Sequence, residues 1–260
     1  MESGKHFVLV HGSCHSAWCW YKLVTLLKSS GHRVTALDLG ASGLDPRRLD
    51  QLATIFDYLQ ALMDFMASLP HGERVVLVRH SYGGFCISLA MESFSKKISI
   101  AVFITAYMPN DRDPLATHLQ EFFRRTSPDS FMDNEFSYDG DLENPPSSVI
   151  IGPDSLTNIL YNNCQPEEIE LAKMFTRPSG LFFEDLIKES LLTEKKYGSV
   201  NRAFIVCEED QSLKEEFQRW MIEKSPTKEV MSIAGADHMS MLSKPKELCL
   251  YLLEIALKYQ

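Results

Sequence analysis

Two parts of the chain carry residue types able to do covalent chemistry. In Val75-Val-Leu-Val-Arg-His-Ser-Tyr-Gly-Gly84 a serine stands between a hydrophobic, strand-like run and a segment with helical spacing, the setting of a nucleophile elbow. A sharp turn there lifts the Ser81 hydroxyl above the carboxyl edge of a sheet. Gly83 removes a β-carbon where strand and helix crowd together, and the Tyr82 N–H at the helix start faces a developing oxyanion. A serine hydroxyl is a weak nucleophile unless a base takes its proton during attack. Of the eight histidines, only His238 lies in a Gly-containing loop (Ala234-Gly-Ala-Asp-His238) between a late strand and the final helix. Arg202-Ala-Phe-Ile-Val-Cys207 is another late strand, followed by Glu208, Glu209 and Asp210. Asp210 is the candidate to orient the imidazole, with Glu208, Glu209 and Asp237 as competing carboxylates.

The order Ser, acid, His along the chain, with the acid after a late strand and the His before the last helix, is the order of α/β-hydrolases. The elbow departs from G-x-S-x-G in one position, where Arg79 replaces the first glycine. A buried guanidinium costs several kcal/mol unless paired. Three readings of Arg79 stand: accommodation by a local carboxylate (Glu208, Glu209 or Asp237) with activity retained, weakened or retuned catalysis, or a lesion. Upstream, the first strand ends in Val10-His-Gly-Ser-Cys-His-Ser-Ala-Trp18, a turn of the kind that supplies a second oxyanion N–H, here from Ser13. Gly12 lets the backbone approach a substrate closely. His15 and Ser16 serve equally well as loop and helix-cap residues.

The elements that must hold these residues follow from patterning. Short β-branched runs at Phe7–Val10, Arg33–Leu37, Arg74–Val78 and Ile98–Thr105 alternate with helical spacing at Ala17–Ser30, Leu49–Ser68 and Gly83–Phe94, which predicts a mostly parallel central sheet flanked by helices. The rhythm resumes at Arg202–Cys207, Glu215–Glu223, Glu229–Ile233 and Lys246–Tyr259. Between them, Asn110–Pro153 is rich in Asp, Asn, Ser, Pro and Phe with weak periodicity, followed by short helices at Leu156–Leu160, Pro166–Phe175 and Phe182–Lys188. A poorly periodic stretch of that length inside a compact domain is usually functional. The expectation is an α/β-hydrolase core of residues 1–109 and 191–260 with a cap inserted at 110–190.

Bulk properties exclude other classes. The 260 residues are 45% hydrophobic and 23% charged, with a formal net charge of -9 and no block of like charges. Nucleic acid is a poor partner for such a chain, because phosphate binding draws on clustered Lys and Arg. No run approaches the roughly 18 apolar residues of a membrane span, and the first apolar run is too short for a secretory leader, so no membrane partner and a cytosolic location are expected. Six cysteines lack C-x-x-C spacing, which points to reduced, mostly buried thiols and to no metal site.

Five segments together, HFVLVHGSCHSAWCWYKL, VTALDLGASG, HSYGG, RPSGLFFEDL and GADHMSML, resemble plant methylesterases. That family includes salicylate-binding methylesterase and the polyneuridine aldehyde esterases, with hydroxynitrile lyases as cousins, and the resemblance spans nearly the whole chain. It implies Ser81, Asp210 and His238 as the triad and Ser13 and Tyr82 as oxyanion donors. It further implies hydrolysis of a small aromatic, hormone-like or alkaloid methyl ester without cofactor or metal, and a homodimer. The lyases carry a threonine at the position of Gly12 and a lysine after the catalytic histidine, where this chain has Met239. An apolar neighbour cannot stabilise cyanide, which favours ester cleavage. Decarboxylating relatives replace the triad serine and aspartate, which are retained here. The acyl pocket is expected between core and cap, lined by Gly12, His15, Tyr107, Met108, Phe122, Phe131, Phe136, Ile159, Leu181 and Met239, although each aromatic is equally suited to packing the cap itself. Two other outcomes stay open: a low-turnover ligand-binding protein with an elbow altered by Arg79, and an esterase whose product loses carbon dioxide.

Overall fold

A computed structural model describes residues 4–139, 145–188, 191–225 and 227–259. Six strands form the central sheet: β1 (His6–Val10), β2 (Arg33–Leu37), β3 (Val75–Ser81), β4 (Ile98–Ala106), β8 (Arg202–Cys207) and β9 (Glu229–Ile233), in the order β2-β1-β3-β4-β8-β9. Every neighbouring pair is parallel. A parallel sheet is covered on both faces, so its strands are apolar on both sides, and successive residues feed two cores. Val75 and Leu77 of β3 join Val8, Val10 and Phe103 in one cluster, whereas Val76 and Val78 join Phe7, Leu9 and Val102 in the other.

Helices cover both faces. Helix α1 (Tyr21–Ser29) packs against the C-terminal helix Pro245–Lys258. On the opposite face lie α2 (Ile55–Ser68) and α3 (Gly83–Phe94). The buried stripe of α2, Ile55, Tyr58, Leu59, Leu62 and Met66, recurs at helical spacing. Its start is fixed by a capping box in which Thr54 Oγ1 accepts from Asp57 N–H at 3.2 Å and Asp57 returns the bond to Thr54 N–H at 2.9 Å. For that reason the helix expected over 49–68 begins at Ile55, after a separate 3-10 turn at Leu49–Gln51. The helix expected from Ala17 likewise opens with a 3-10 turn, Ala17–Trp20.

Between β4 and β8 the chain leaves the sheet. This inserted segment holds helix α4 (Ala116–Arg125), a three-stranded antiparallel sheet of β5 (Glu135–Ser137), β6 (Ser148–Ile150) and β7 (Ser179–Gly180), and the helix Pro166–Phe175. Neither α4 nor the small sheet is among the expected elements, although Ala116, Leu119, Phe122 and Phe123 of α4 recur at helical spacing and pack toward the core. Helix α4 buries only Ala116, His118 and Leu119 and carries Arg124 and Arg125 paired with Glu121, while the strands are two or three residues long. The proposed junction at residue 190 lies outside the described residues. Among the described residues no helix is long and apolar enough to cross a membrane. Five of the cysteines are buried, Cys164 is half-buried, and all six are free.

Candidate active site

The sheet order sets the location. From β1 the chain moves to β2 on one side, and from β3 to β4 on the other, so the carboxyl ends of β1 and β3 flank a crevice, the usual ligand position in open α/β sheets. Ser81 ends β3 with φ +52°, a left-handed conformation that a residue with a side chain adopts only at a cost of about 1–3 kcal/mol. The neighbours make room for it. A β-carbon at Gly83 would lie 2.4 Å from the His11 carbonyl oxygen, and one at Gly12 would lie 2.7 Å from Ser81 Cβ. Gly83 therefore permits α3 to start against the end of β1, and Gly12 allows the turn under the serine.

Across the crevice, His238 Nδ1 donates to Asp210 Oδ2 at 2.7 Å, with both side chains buried. The other Asp210 oxygen accepts the backbone N–H groups of Ser212 at 2.7 Å and Leu213 at 2.9 Å, and the Thr105 hydroxyl donates to Oδ2. The rival carboxylates are placed elsewhere: Glu208 and Glu209 are exposed, and Asp237 accepts from Met239 N–H at 3.0 Å, Asn163 N–H at 3.0 Å and Ser243 Oγ at 2.6 Å. Sequence reasoning missed Thr105. It occupies a bulge in β4, where pairing skips from His80–Ile104 to Ser81–Ala106, and its φ is +35°. A bulge re-aims a side chain that strand alternation would send elsewhere.

Ser13, Ser81, Tyr82 and His238 line one cavity, together with His15, Tyr107, Phe122, Phe131, Phe136, Ile159 and Leu181; with its opening to solvent it spans about 860 Å³. Among the described residues the Ser81 hydroxyl makes no hydrogen bond. The wall away from the serine is aromatic: Phe122, Phe123, Phe131 and Phe136 pack with centroids 5.1–6.1 Å apart, and Tyr107 meets Phe122 at 6.1 Å. Phe123, Leu119 and Val149 line the cavity without having been anticipated. Three expected pocket residues lie elsewhere. Met108 and Met239 are fully buried, one in each of the two cores, and are not among the residues that line the cavity. Gly12 lies under Ser81 and forms the floor of the turn instead of the pocket wall.

Of the three readings of Arg79, accommodation by Glu208, Glu209 or Asp237 does not hold. Arg79 continues the inward face of Val75 and Leu77, is fully buried, and forms no ion pair among the described residues. Its guanidinium lies over the Phe103 ring at 3.3 Å and donates through Nη2 to the Tyr107 carbonyl, while Nε and Nη1 have no partner. Burial drives its pKa well below the ordinary arginine value. Space for it exists because residue 84 is glycine, whose β-carbon would fall 2.1 Å from Nη1. These contacts lie on the α3 side of the sheet, whereas His80, the next residue, donates from Nε2 to the His238 carbonyl at 2.8 Å. Arg79 is not wedged between Ser81 and His238.

The fold and the crevice together define a parallel α/β protein with a strained serine at the strand–helix turn and a His–Asp pair whose imidazole lines the same cavity. Residues 7–249 match the family model described as alpha/beta hydrolase family. Methyl jasmonate esterase 1 of Vitis vinifera is 52% identical over 256 residues, 98% of each chain. Salicylic acid-binding protein 2 of Nicotiana tabacum is 48% identical over the full length of both chains. The crystal structure of polyneuridine aldehyde esterase superposes with a TM-score of 0.93 at 48% identity, covering 97% of this chain and 99% of that one. The chain belongs to the alpha/beta hydrolase family and, within it, to the plant methylesterases.

Proposed function

We propose that this protein is a carboxylic ester hydrolase acting on a small methyl ester with an aromatic or similarly apolar acyl group, through Ser81, His238 and Asp210. Ser81 Oγ attacks the ester carbonyl as His238 Nε2 takes its proton. Asp210 holds the imidazole through Nδ1–H and stabilises the imidazolium. The N–H groups of Ser13 and Tyr82 receive the oxyanion. His238 then protonates the departing methoxide, which leaves as methanol, and water hydrolyses the acyl-enzyme by the same steps in reverse order. No step calls for a metal or organic cofactor.

The observation that carries this reading is the buried His238–Asp210 hydrogen bond of 2.7 Å, with His238 lining the cavity that also holds the strained Ser81. The aromatic wall supports the acyl preference, and the names of the relatives point to a methyl ester, with methanol as the group released. The inserted segment acts as the cap of this site in our reading, since Leu181, Val149 and the Phe122–Phe136 region close the cavity. Buried free thiols suit a reducing compartment such as the cytosol.

The test is a panel of aromatic and hormone-like methyl esters, together with labelling by a fluorophosphonate. The wild type is expected to cleave members of the panel and to be labelled at Ser81. Ser81→Ala is expected to lose about 10⁴-fold or more in kcat with an unchanged Tm. Full activity in Ser81→Ala, or a wild type that binds esters without cleaving them, would overturn the reading.

A further inference from the structure

The loop that follows β1 is held in an unusual way. Ser13 contributes its N–H to the peptide that joins it to Gly12, so the direction of that donor is fixed by whatever holds the Gly12 carbonyl on the other side of the same plane. His11 does this: its Nδ1 donates to the Gly12 oxygen at 2.8 Å, and its Nε2 accepts from the Leu39 N–H at 3.1 Å. The next peptide is held in the same way by a second ring. His15 Nδ1 donates to the Ser13 oxygen at 2.9 Å, and its Nε2 accepts from the Tyr161 hydroxyl at 2.6 Å. A carbonyl only accepts and an amide N–H only donates, so these partners fix His11 as the neutral Nδ1–H form; in His15 the Ser13 carbonyl places a proton on Nδ1, and burial, which lowers its pKa to about 4, leaves Nε2 unprotonated to accept from Tyr161. All three side chains are buried, and His15 and Tyr161 stack with centroids 5.8 Å apart.

Tyr161 belongs to the inserted segment and does not line the cavity. Two more bonds tie the same loop to that segment: Arg177 N–H to the Cys14 oxygen at 3.1 Å, and Cys14 Sγ to the Val149 oxygen at 3.3 Å. The intervening residue, Cys14, has φ +62°, a conformation that persists only where its surroundings hold it.

We propose that His11, His15 and Tyr161 are positioning residues that aim the Ser13 N–H at the oxyanion, with Tyr161 carrying the contribution of the inserted segment. The proposal rests on the ester-hydrolase reading above. An oxyanion donor counts only at the geometry of the tetrahedral adduct, so loosening this brace weakens the transition state and leaves ground-state binding intact.

The experiment compares wild type, Tyr161→Phe and His15→Gln with p-nitrophenyl acetate as substrate, trifluoroacetophenone as inhibitor and benzoate as a product-like acid. Trifluoroacetophenone adds Ser81 Oγ to its carbonyl carbon, the serine proton passes to His238, and the carbonyl oxygen becomes the oxyanion. In Tyr161→Phe, kcat and trifluoroacetophenone affinity are expected to fall together by about tenfold, with KM, benzoate affinity and Tm nearly unchanged. A merely structural role would instead weaken benzoate binding or Tm in step. The brace is overturned if wild type cleaves the ester and either variant matches it in kcat, or if benzoate and trifluoroacetophenone affinities fall equally. A wild type that cleaves no ester overturns the hydrolase reading and the brace with it.

Discussion

Arg79 is the residue at which this chain departs furthest from the pattern around it, and the structure gives the departure a definite cost. Two guanidinium nitrogens are buried without partners among the described residues, one donates to the Tyr107 carbonyl, and the planar face rests on Phe103. A buried charge without a carboxylate is destabilising, and replacing such a group by an apolar side chain of similar length stabilises by about 1–4 kcal/mol. Arg79→Met is therefore expected to raise the urea midpoint, with an unfolding free energy higher by about 1–3 kcal/mol. A lower midpoint would mean that the Tyr107 contact outweighs the desolvation. The sequence identified this residue as anomalous from the missing glycine alone. It did not identify the environment, because the side chain's neighbours, Phe103, Gly84 and Tyr107, come from other elements of the fold.

At the scale of elements, the β4 bulge links the sheet to the acid. Regular pairing would carry Thr105 past the site, but the skipped register and positive φ turn its hydroxyl onto Asp210 Oδ2. A hydrogen bond to a charged group contributes about 1.5–3 kcal/mol. Thr105→Val keeps the branched shape and removes the donor, so kcat is expected to fall about tenfold or more while Tm moves little; steady-state kinetics on the best panel ester checks this. The six parallel strands, both flanking helix layers and the late strand–loop positions of Asp210 and His238 were legible in the sequence. The reason is physical: buried parallel strands and amphipathic helices write their burial into residue types. Helix α4, the β5-β6-β7 sheet and the bulge were missed. Strands of two or three residues leave no periodic signal, and a bulge is a matter of register, which no single strand's composition records; α4 does carry a signal, Ala116, Leu119, Phe122 and Phe123 at helical spacing, but it is short and sits in a stretch rich in Asp, Asn, Ser and Pro. Met108 and Met239 were misplaced for a related reason: adjacency to a site residue in sequence says nothing about which way a side chain turns.

The molecule as a whole buries several histidines without charge. His15 and His118 have pKa values lowered to about 4, in each case chiefly by burial, and both nitrogens of His118 lack a partner among the described residues. In the unfolded chain each titrates near 6.5. The folded state thus refuses protons that the unfolded state accepts once pH falls below 6.5, and stability declines from there down to about 4, where the folded histidines titrate as well. Each such group adds about 1.4 kcal/mol per pH unit to the slope inside that window. His118→Phe, which keeps an aromatic ring against Trp220, is expected to flatten the stability slope near the middle of the window by about that amount, as read from urea unfolding at a series of pH values. An unchanged slope would show that His118 is protonated in the native protein.

The contiguity of the inserted segment between β4 and β8 has a practical bearing on engineering. Substrate range in this architecture invites exchange by transplanting one stretch of chain, since the nucleophile, base and acid all come from the flanking portions. The bond from Tyr161 to His15 limits that freedom. A donor segment that reshapes the acyl chamber but lacks a hydroxyl at this position would deliver a hybrid that recognises its new ester and turns it over slowly, and restoring that single oxygen is the first repair to attempt.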